Sequence, residues 1–295
     1  MLGIDELYKE LKSSNFLVDT DSRKIRKGSV FFAIKGDNFN GNEFIGDALK
    51  NGSRLAISDG ENPNLNHNHN VIKVSNSLST LQELSKFHRK KCNAKVIAIT
   101  GSNGKTTTKE LIYSVLSSNF KTICTTGNFN NHIGLPLSLF EIRHDTEFAV
   151  IEMGANNFGE IAFLTSLCEP DYGYITNFGK AHLEGFINID VVIKAKTELY
   201  QWIIKNDKTL LINGEDKNQK KFDNHKHIIF GHSENFHFYF RENNNDFVNV
   251  GLGDYLFETK LYGTYNYSNV CAAIALGLEF GIDKNQINQS LKSYQ

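Results

Sequence analysis

An apolar run, Lys95-Val96-Ile97-Ala98-Ile99-Thr100, passes without a spacer into Gly101-Ser102-Asn103-Gly104-Lys105-Thr106-Thr107. The following stretch, Thr106–Ser117, places Leu111, Ile112, Val115 and Leu116 at helical spacing. A strand that turns at once through glycines into a helix belongs to an α/β architecture. Glycines let backbone N–H groups close on phosphate oxygens, and the helix N-terminus adds its partial positive charge. Lys105 would reach the terminal phosphates, and the Thr106 hydroxyl would complete a Mg²⁺ shell. The usual P-loop spacing places a glycine where this chain has Ile99, so the loop is the compact form Gly-x-x-Gly-Lys-Thr. A plain glycine turn ahead of a helix is the bland alternative, and the strand–loop–helix context favours nucleotide binding.

Around this junction the chain alternates strands and helices. Ser29–Ile34, Arg54–Ser58 and Val71–Val74 read as strands, and Asn42–Asn51 spaces its apolar residues like a helix. Ser79–Lys91 has helical spacing and carries the chain into a second unit. Strands are predicted at Ala149–Met153, Tyr172–Thr176, Thr209–Asn213 and His227–Phe230, with helical segments among them. Phe236–Phe240 and Tyr255–Thr259 look antiparallel, and helices over Asn266–Phe280 and Lys284–Ser293 close the chain. The expectation is an α/β protein with a small N-terminal α/β domain over residues 1–80. A P-loop-type, mostly parallel sheet with helices on both faces then fills residues 81–295.

Composition narrows the function classes. A chain of 295 residues leaves room for about two domains. It is 40% hydrophobic and 22% charged, which argues against a disordered or fibrous chain. The net charge is -1, with 32 basic against 33 acidic residues, so no nucleic-acid partner is expected. No apolar run approaches the roughly 18 residues of a membrane span. The start, Met1-Leu2-Gly3-Ile4-Asp5-Glu6, is acidic where a signal peptide needs basic residues. Cys92, Cys124, Cys168 and Cys271 stand apart without metal-ligand pairing, as in a reduced cytoplasmic protein. A monomer is the simplest oligomeric expectation.

Other candidates carry less pattern. Glu152 interrupts the apolar strand Ala149–Met153 at its C-terminal end, where ligands gather in open α/β sheets. A carboxylate there is placed to hold Mg²⁺, and an edge-strand glutamate facing solvent is the alternative. His182 follows the strand Tyr172–Thr176, and its position admits a ligand or a structural histidine. Lys194 and Lys196 read by pattern as a solvated face of a helix. His67 and His69 lie in a polar loop with no third ligand nearby.

Several motifs in order complete the picture. They are Asp19–Lys24, Val30–Gly36, Gly127-Asn128-Phe129-Asn130-Asn131-His132-Ile133-Gly134-Leu135-Pro136, Ile151–Asn156, Ala181–Phe186 and Gly263–Asn269. Together with the glycine loop they resemble the Mur ligases, ATP-dependent amide-forming enzymes of peptidoglycan precursor synthesis. The resemblance covers essentially the whole chain. Asn130-Asn131 and Ala155-Asn156 point to the branch that adds D-alanyl-D-alanine to UDP-N-acetylmuramoyl-tripeptide.

The resemblance implies roles residue by residue. ATP would bind through Gly101, Ser102, Asn103, Gly104, Lys105, Thr106 and Thr107, with Asn266 and Asn269 near the adenine. Thr106 and Glu152 would share one Mg²⁺, and His182 would hold a second. Lys196 matches a lysine carried as a carbamate, so Lys105, Lys196 and His182 form the implied catalytic set. Ser22 and Arg23 would meet the uridine nucleotide, and Asn130 and Asn131 would also be substrate-binding residues. The family often has His before the first adenine-site asparagine, where this chain has Tyr265. Family members also carry a C-terminal ligase domain, which is expected to be absent from this chain. A non-catalytic nucleotide- or UDP-sugar-binding module is the alternative from another class. A folate polyglutamylating enzyme is disfavoured by the N-terminal module and the Asn128–Asn131 loop.

Overall fold

The computed structural model describes residues 2–36, 38–60, 69–179, 189–244 and 246–294. His67 and His182 lie outside the described residues. The chain forms two compact units, Met1–Cys92 with His132–Arg143, and Asn93–Asn131 with His144–Gln295. The elements begin with helix α1 (Ile4–Ser13), strands β1 (Val18–Asp19), β2 (Val30–Phe32), β3 (Lys35–Gly36) and β4 (Phe39–Asn40), and helix α2 (Ile45–Lys50). Strands β5 (Leu55–Ser58) and β6 (Val71–Lys73) and helix α3 (Ser77–Lys91) follow. Next come β7 (Lys95–Thr100), α4 (Lys105–Ser117), β8 (Thr122–Cys124), α5 (Gly134–Phe140), β9 (Phe148–Glu152), α6 (Glu160–Cys168) and β10 (Tyr172–Ile175). Then follow α7 (Ile189–Lys205), β11 (Thr209–Asn213), α8 (Lys217–Lys220), β12 (His227–Gly231) and β13 (Phe238–Tyr239). The last elements are β14 (Arg241–Asn244), β15 (Val248–Leu252), β16 (Tyr255–Phe257), α9 (Tyr267–Glu279) and α10 (Lys284–Ser293).

In the first unit a parallel sheet runs in the order β1-β2-β5-β6. Its central strands are buried throughout because both faces are covered. Val30, Phe32, Leu55 and Ile57 pack with Leu7, Leu11, Leu81, Leu84 and Phe140 from α1, α3 and α5. The alternate residues Phe31, Ala33 and Ala56 pack with Ile45 and Ala48 of α2. Two expectations change here. The division expected at residue 80 falls after Cys92, and His132–Arg143 also belongs to this unit. The reason is that Leu81, Leu84 and Phe140 share one core, which helical spacing alone does not reveal. The helix expected over Asn42–Asn51 is split, because Asn40 caps a 3-10 turn at Gly41–Phe44 before α2 begins.

The second unit holds a seven-stranded sheet in the order β13-β12-β11-β10-β7-β9-β8, parallel at every pairing. Phe236–Phe240 therefore departs from its antiparallel expectation, since β13 within it pairs parallel to β12 as a short edge strand. Tyr255–Thr259 does contribute an antiparallel strand, β16, to the small sheet β14-β15-β16. Ile97 and Ile99 of β7 pack with Leu111, Ile112, Val115 and Leu116 of α4 and with the apolar face of α9. Helices α6 and α7 pack together against β7 and β10. Right-handed crossovers explain the two layers, because the chain moves one way from β7 to β8 and the other way from β9 to β10. In open α/β sheets such a reversal is where ligands gather, which here falls at the C-terminal ends of β7, β9 and β10. The register pairs Ile99 with Glu152 and Thr100 with Ile175, so these strand ends share one edge. Among the described residues no helix is long and apolar enough to cross a membrane. The four cysteines are free thiols.

Candidate functional site

At this edge β7 gives way to the glycine loop, and the backbone shows why glycine stands at 101 and 104. Gly101 has φ +144°, and a Cβ there would lie 2.0 Å from Thr176 Oγ1. Gly104 has φ +76°, and its Cβ would meet the Asn269 amide at 2.9 Å. Gly104 is also the N-cap of α4 and offers no side chain to its first-turn N–H groups. First-turn N–H groups have no partner within their helix, and the helix N-terminus carries a partial positive charge.

The loop is braced from two sides. Thr176 N donates to Thr100 O (2.9 Å) and Ser102 N to Asn177 O (3.1 Å). Asn103 N donates to Asn177 Oδ1 (3.1 Å), while Asn177 Nδ2 donates to Asn103 O (2.9 Å). Thr176 Oγ1 also donates to Asn103 O, and Ser102 Oγ donates to Gly179 O (3.0 Å). On the other side Thr108 Oγ1 donates to Asn269 Oδ1 (2.9 Å), and Asn269 Nδ2 to Asn266 Oδ1 (3.0 Å). Asn266 Nδ2 in turn donates to Tyr262 O (2.9 Å). Both asparagines are buried and engaged with the protein itself, whereas Tyr265 is exposed. Thr107 lies in the first turn of α4.

Charged groups gather around the loop. Lys105 folds back so that Nζ donates to Gly101 O (2.8 Å) and Ser102 O (3.0 Å). Burial pushes its pKa down, and the Glu152 carboxylate opposes that shift. Glu152 is only 2% exposed, on a strand flanked by neighbours on both sides, which excludes the solvent-facing edge alternative. It accepts from Thr106 Oγ1 (2.9 Å) on one oxygen and from Asn130 Nδ2 (2.8 Å) on the other. Its backbone N–H donates to Thr125 Oγ1 (3.0 Å). A carboxylate has about four acceptor positions, so half remain for a cation. Carboxylate and hydroxyl oxygens form a hard donor set of the kind that suits Mg²⁺.

Lys196 corrects the solvated-face expectation, for it is 2% exposed while Lys194 is exposed. The buried stripe of α7 includes Val192, Ala195, Lys196 and Leu199, so the lysine sits among its apolar residues. Its Nζ lies 3.5 Å from Ala155 O. Burial, with the nearby Lys105 ammonium adding to it, pushes its pKa down to about 8, against opposition from Glu160 and Glu198. Glu198 caps α6, accepting from Gly159 N and Ala162 N (both 2.8 Å). Asn131 follows Asn130 at the end of the same loop and is exposed.

In the first unit Ser22 and Arg23 form a 3-10 turn just past β1. Asp21 caps it and receives Arg23 Nε and Nη2, both at 2.8 Å. That guanidinium holds the Asp21 carboxyl down at about 2. The turn lines a cleft of about 700 Å³ with Phe31, Phe39, Phe44 and Lys50. Phe39 and Phe44 are exposed aromatic rings that sequence reasoning did not single out. Thr176, Asn177 and Thr125 were also missed. For the first two, the available signal was a pair of polar residues immediately after a predicted strand.

Comparison with known proteins is consistent across sequence and fold. A family profile described as the Mur ligase middle domain matches residues 99–277, and another described as Mur ligase family, catalytic domain, matches residues 17–89. The UDP-N-acetylmuramoyl-tripeptide–D-alanyl-D-alanine ligase of Bacillus subtilis (strain 168) is 35% identical over 270 residues, covering 90% of this chain and 59% of the relative. The chain thus spans about three fifths of that relative's length. A crystal structure of MurF from Acinetobacter baumannii matches with TM-score 0.83 at 29% identity, covering 98% of this chain and 68% of the other. The MurF ligase of Thermotoga maritima in complex with ADP matches with TM-score 0.79 at 28% identity, covering 95% of this chain and 66% of the other.

Proposed function

The chain belongs to the Mur ligase family, and we propose that it carries the nucleotide and UDP-peptide sites of an ATP-dependent ligase of the MurF type. The reaction joins D-alanyl-D-alanine to UDP-N-acetylmuramoyl-tripeptide in cytoplasmic peptidoglycan precursor synthesis. The observation that carries this reading is the Thr106–Glu152 pair beside the two-glycine loop, at the C-terminal ends of β7 and β9. The likeness to the Bacillus enzyme supports the choice of substrates.

In the proposed reaction the γ-phosphoryl of ATP passes to the tripeptide's terminal carboxylate, giving an acyl phosphate and ADP. The amine of D-alanyl-D-alanine then attacks the acyl carbon, expels phosphate and loses a proton. Such chemistry asks mainly for positioning and charge neutralisation. The loop N–H groups and the α4 N-terminus would cradle the phosphates, and Lys105 would swing from its carbonyls onto them. Thr106 and Glu152 would hold one Mg²⁺, and His182 a second. Bound Mg²⁺ neutralises phosphate charge and orients the transferring group. Among the described residues no group of three or more His, Cys, Asp or Glu could hold a metal. The nucleotide's own oxygens would therefore complete the shell, as is usual for Mg²⁺.

Lys196 fits a carbamate. Its lowered pKa makes the neutral amine accessible, and that amine can attack CO₂ and release a proton to become an anion. Asn266 and Asn269 would act on the adenine site chiefly by bracing the loop. Ser22 and Arg23, with the Phe39 and Phe44 rings, would receive the uridine nucleotide, and Asn130 and Asn131 would face the peptide.

The test is a calorimetric titration of UDP-N-acetylmuramoyl-tripeptide with Mg²⁺ and a non-hydrolysable ATP analogue present. Saturable one-to-one binding, lost with a UDP-sugar lacking the peptide, is expected. No binding by a folded chain contradicts the reading. A non-catalytic binding module would share the nucleotide site, and it is separated by whether amide forms from the three substrates.

A further inference from the structure

Lys109 is a residue of α4 that the proposed chemistry leaves unused. It is 1% exposed and among the largest fully buried side chains. A buried ammonium is costly unless it is paired and hydrogen-bonded. Its Nζ donates to Thr125 O (2.8 Å), and Glu110 Oε1 stands 3.6 Å away. Glu110 is itself half-exposed and also accepts from Tyr294 Oη (3.2 Å). The shortest bond of this cation is thus to a backbone carbonyl, and what that carbonyl belongs to explains its placement.

Thr125 is fully buried just past β8. Its N–H donates to Val150 O (3.0 Å), and its hydroxyl accepts the N–H of Glu152 (3.0 Å). Five residues on, Asn130 Nδ2 donates to Glu152 Oε1 (2.8 Å), and Asn130 O accepts from Gly154 N (2.8 Å). The segment from 125 to 130 is therefore gripped at one end by Lys109, and both of its ends bear on Glu152.

We infer that Lys109 is a positioning residue: through Thr125 it fixes the 125–130 segment and so aims the Glu152 carboxylate at the Mg²⁺–nucleotide position beside Thr106. The inference rests on the nucleotide and metal reading above. It assigns Lys109 no contact with substrate.

The test compares ADP affinity in EDTA with ADP affinity in Mg²⁺, by calorimetry on the folded chain. Lys109→Met keeps the volume and removes the charge. Its affinity in EDTA should stay within about twofold of wild type, while the gain on adding Mg²⁺ falls about tenfold. Thr125→Val keeps the carbonyl that Lys109 uses but removes the acceptor for Glu152 N–H, and should lose about threefold of the same gain. An undiminished Mg²⁺ gain in folded Lys109→Met, whatever its melting temperature, makes the lysine merely structural and overturns the inference. If Lys109→Met does not fold, Thr125→Val decides by the same criterion. A wild-type chain that binds ADP without any Mg²⁺ gain overturns the metal reading and this inference together, and is recognised because it needs no variant.

Discussion

Both units end a parallel strand in a polar turn, and the two turns are built on opposite lines. Past β7 the side chains are tied down before any ligand arrives. Glu152 is buried between Thr106 and Asn130, Asn103 is held on both its N–H and its C=O by Asn177, and Lys105 rests on the loop's carbonyls. Past β1, Arg23 is 84% exposed and its ion pair reaches only two residues back, to Asp21. The surfaces beside it are the exposed rings of Phe39 and Phe44. Charge stabilisation works best when dipoles are fixed in advance in a water-poor site. A nucleoside face can instead be met by aromatic surface and adaptable polar groups, at little cost in prior order. The first arrangement suits phosphoryl chemistry and the second suits recognition.

The contrast can be broken by substitution. The largest effect is expected from Gly101→Ala, which drives a methyl into Thr176 at a positive φ. It should cost about 2–3 kcal/mol of stability and at least about a hundredfold in ADP affinity, read by melting and calorimetry. Asn177→Ala strips the amide that meets both backbone groups of Asn103. A loss of about 1–2 kcal/mol and about tenfold in ADP affinity is expected, and unchanged binding would show that the loop holds its shape without this brace.

A pH effect should instead arise in the core of the first unit. His88 Nε2 donates to Ile142 O (2.9 Å), its Nδ1 pairs with Tyr8 Oη (3.0 Å), and burial pushes its pKa below the ordinary value. The unfolded chain therefore takes up this proton first. The stability that His88 contributes is complete above about pH 6.5 and is lost as pH falls toward its native value. Melts at about pH 7.5 and about pH 5 should show a drop in stability at the lower pH that His88→Gln lacks. The smallest effect belongs to Arg23→Ala. An exposed pair like this contributes little to stability, so the melt should not move while UDP-ligand affinity falls a few-fold.

The same contrast governs what could be read from residues alone. The loop at 101–107 was legible because its backbone conformation and close approaches admit only glycine at two positions, and because its strand and helix adjoin it directly. Glu152 was legible as a charge ending an apolar strand. Lys196 was not, since a buried lysine and a solvated one have the same letter, and its burial depends on how α7 packs. Asn177 and Thr125 act through backbone partners far away in sequence, which no local spacing encodes. The direction of β13 was lost for a related reason, because two edge residues carry too little pattern to specify a partner. The allegiance of α3 and α5 to the first unit depends on Leu81, Leu84 and Phe140 meeting one core, again a tertiary fact.

In the proposed site Thr106 and Glu152 beside the glycine loop hold a Mg²⁺–nucleotide, and titrating ADP into the wild-type chain and Thr106→Val, each with and without Mg²⁺, decides it. One-to-one binding that Mg²⁺ tightens is expected in wild type. In Thr106→Val the Mg²⁺ gain should vanish, while Mg²⁺-free affinity stays within about twofold. No saturable binding by the folded wild-type chain, or an undiminished Mg²⁺ gain without the hydroxyl, would contradict it.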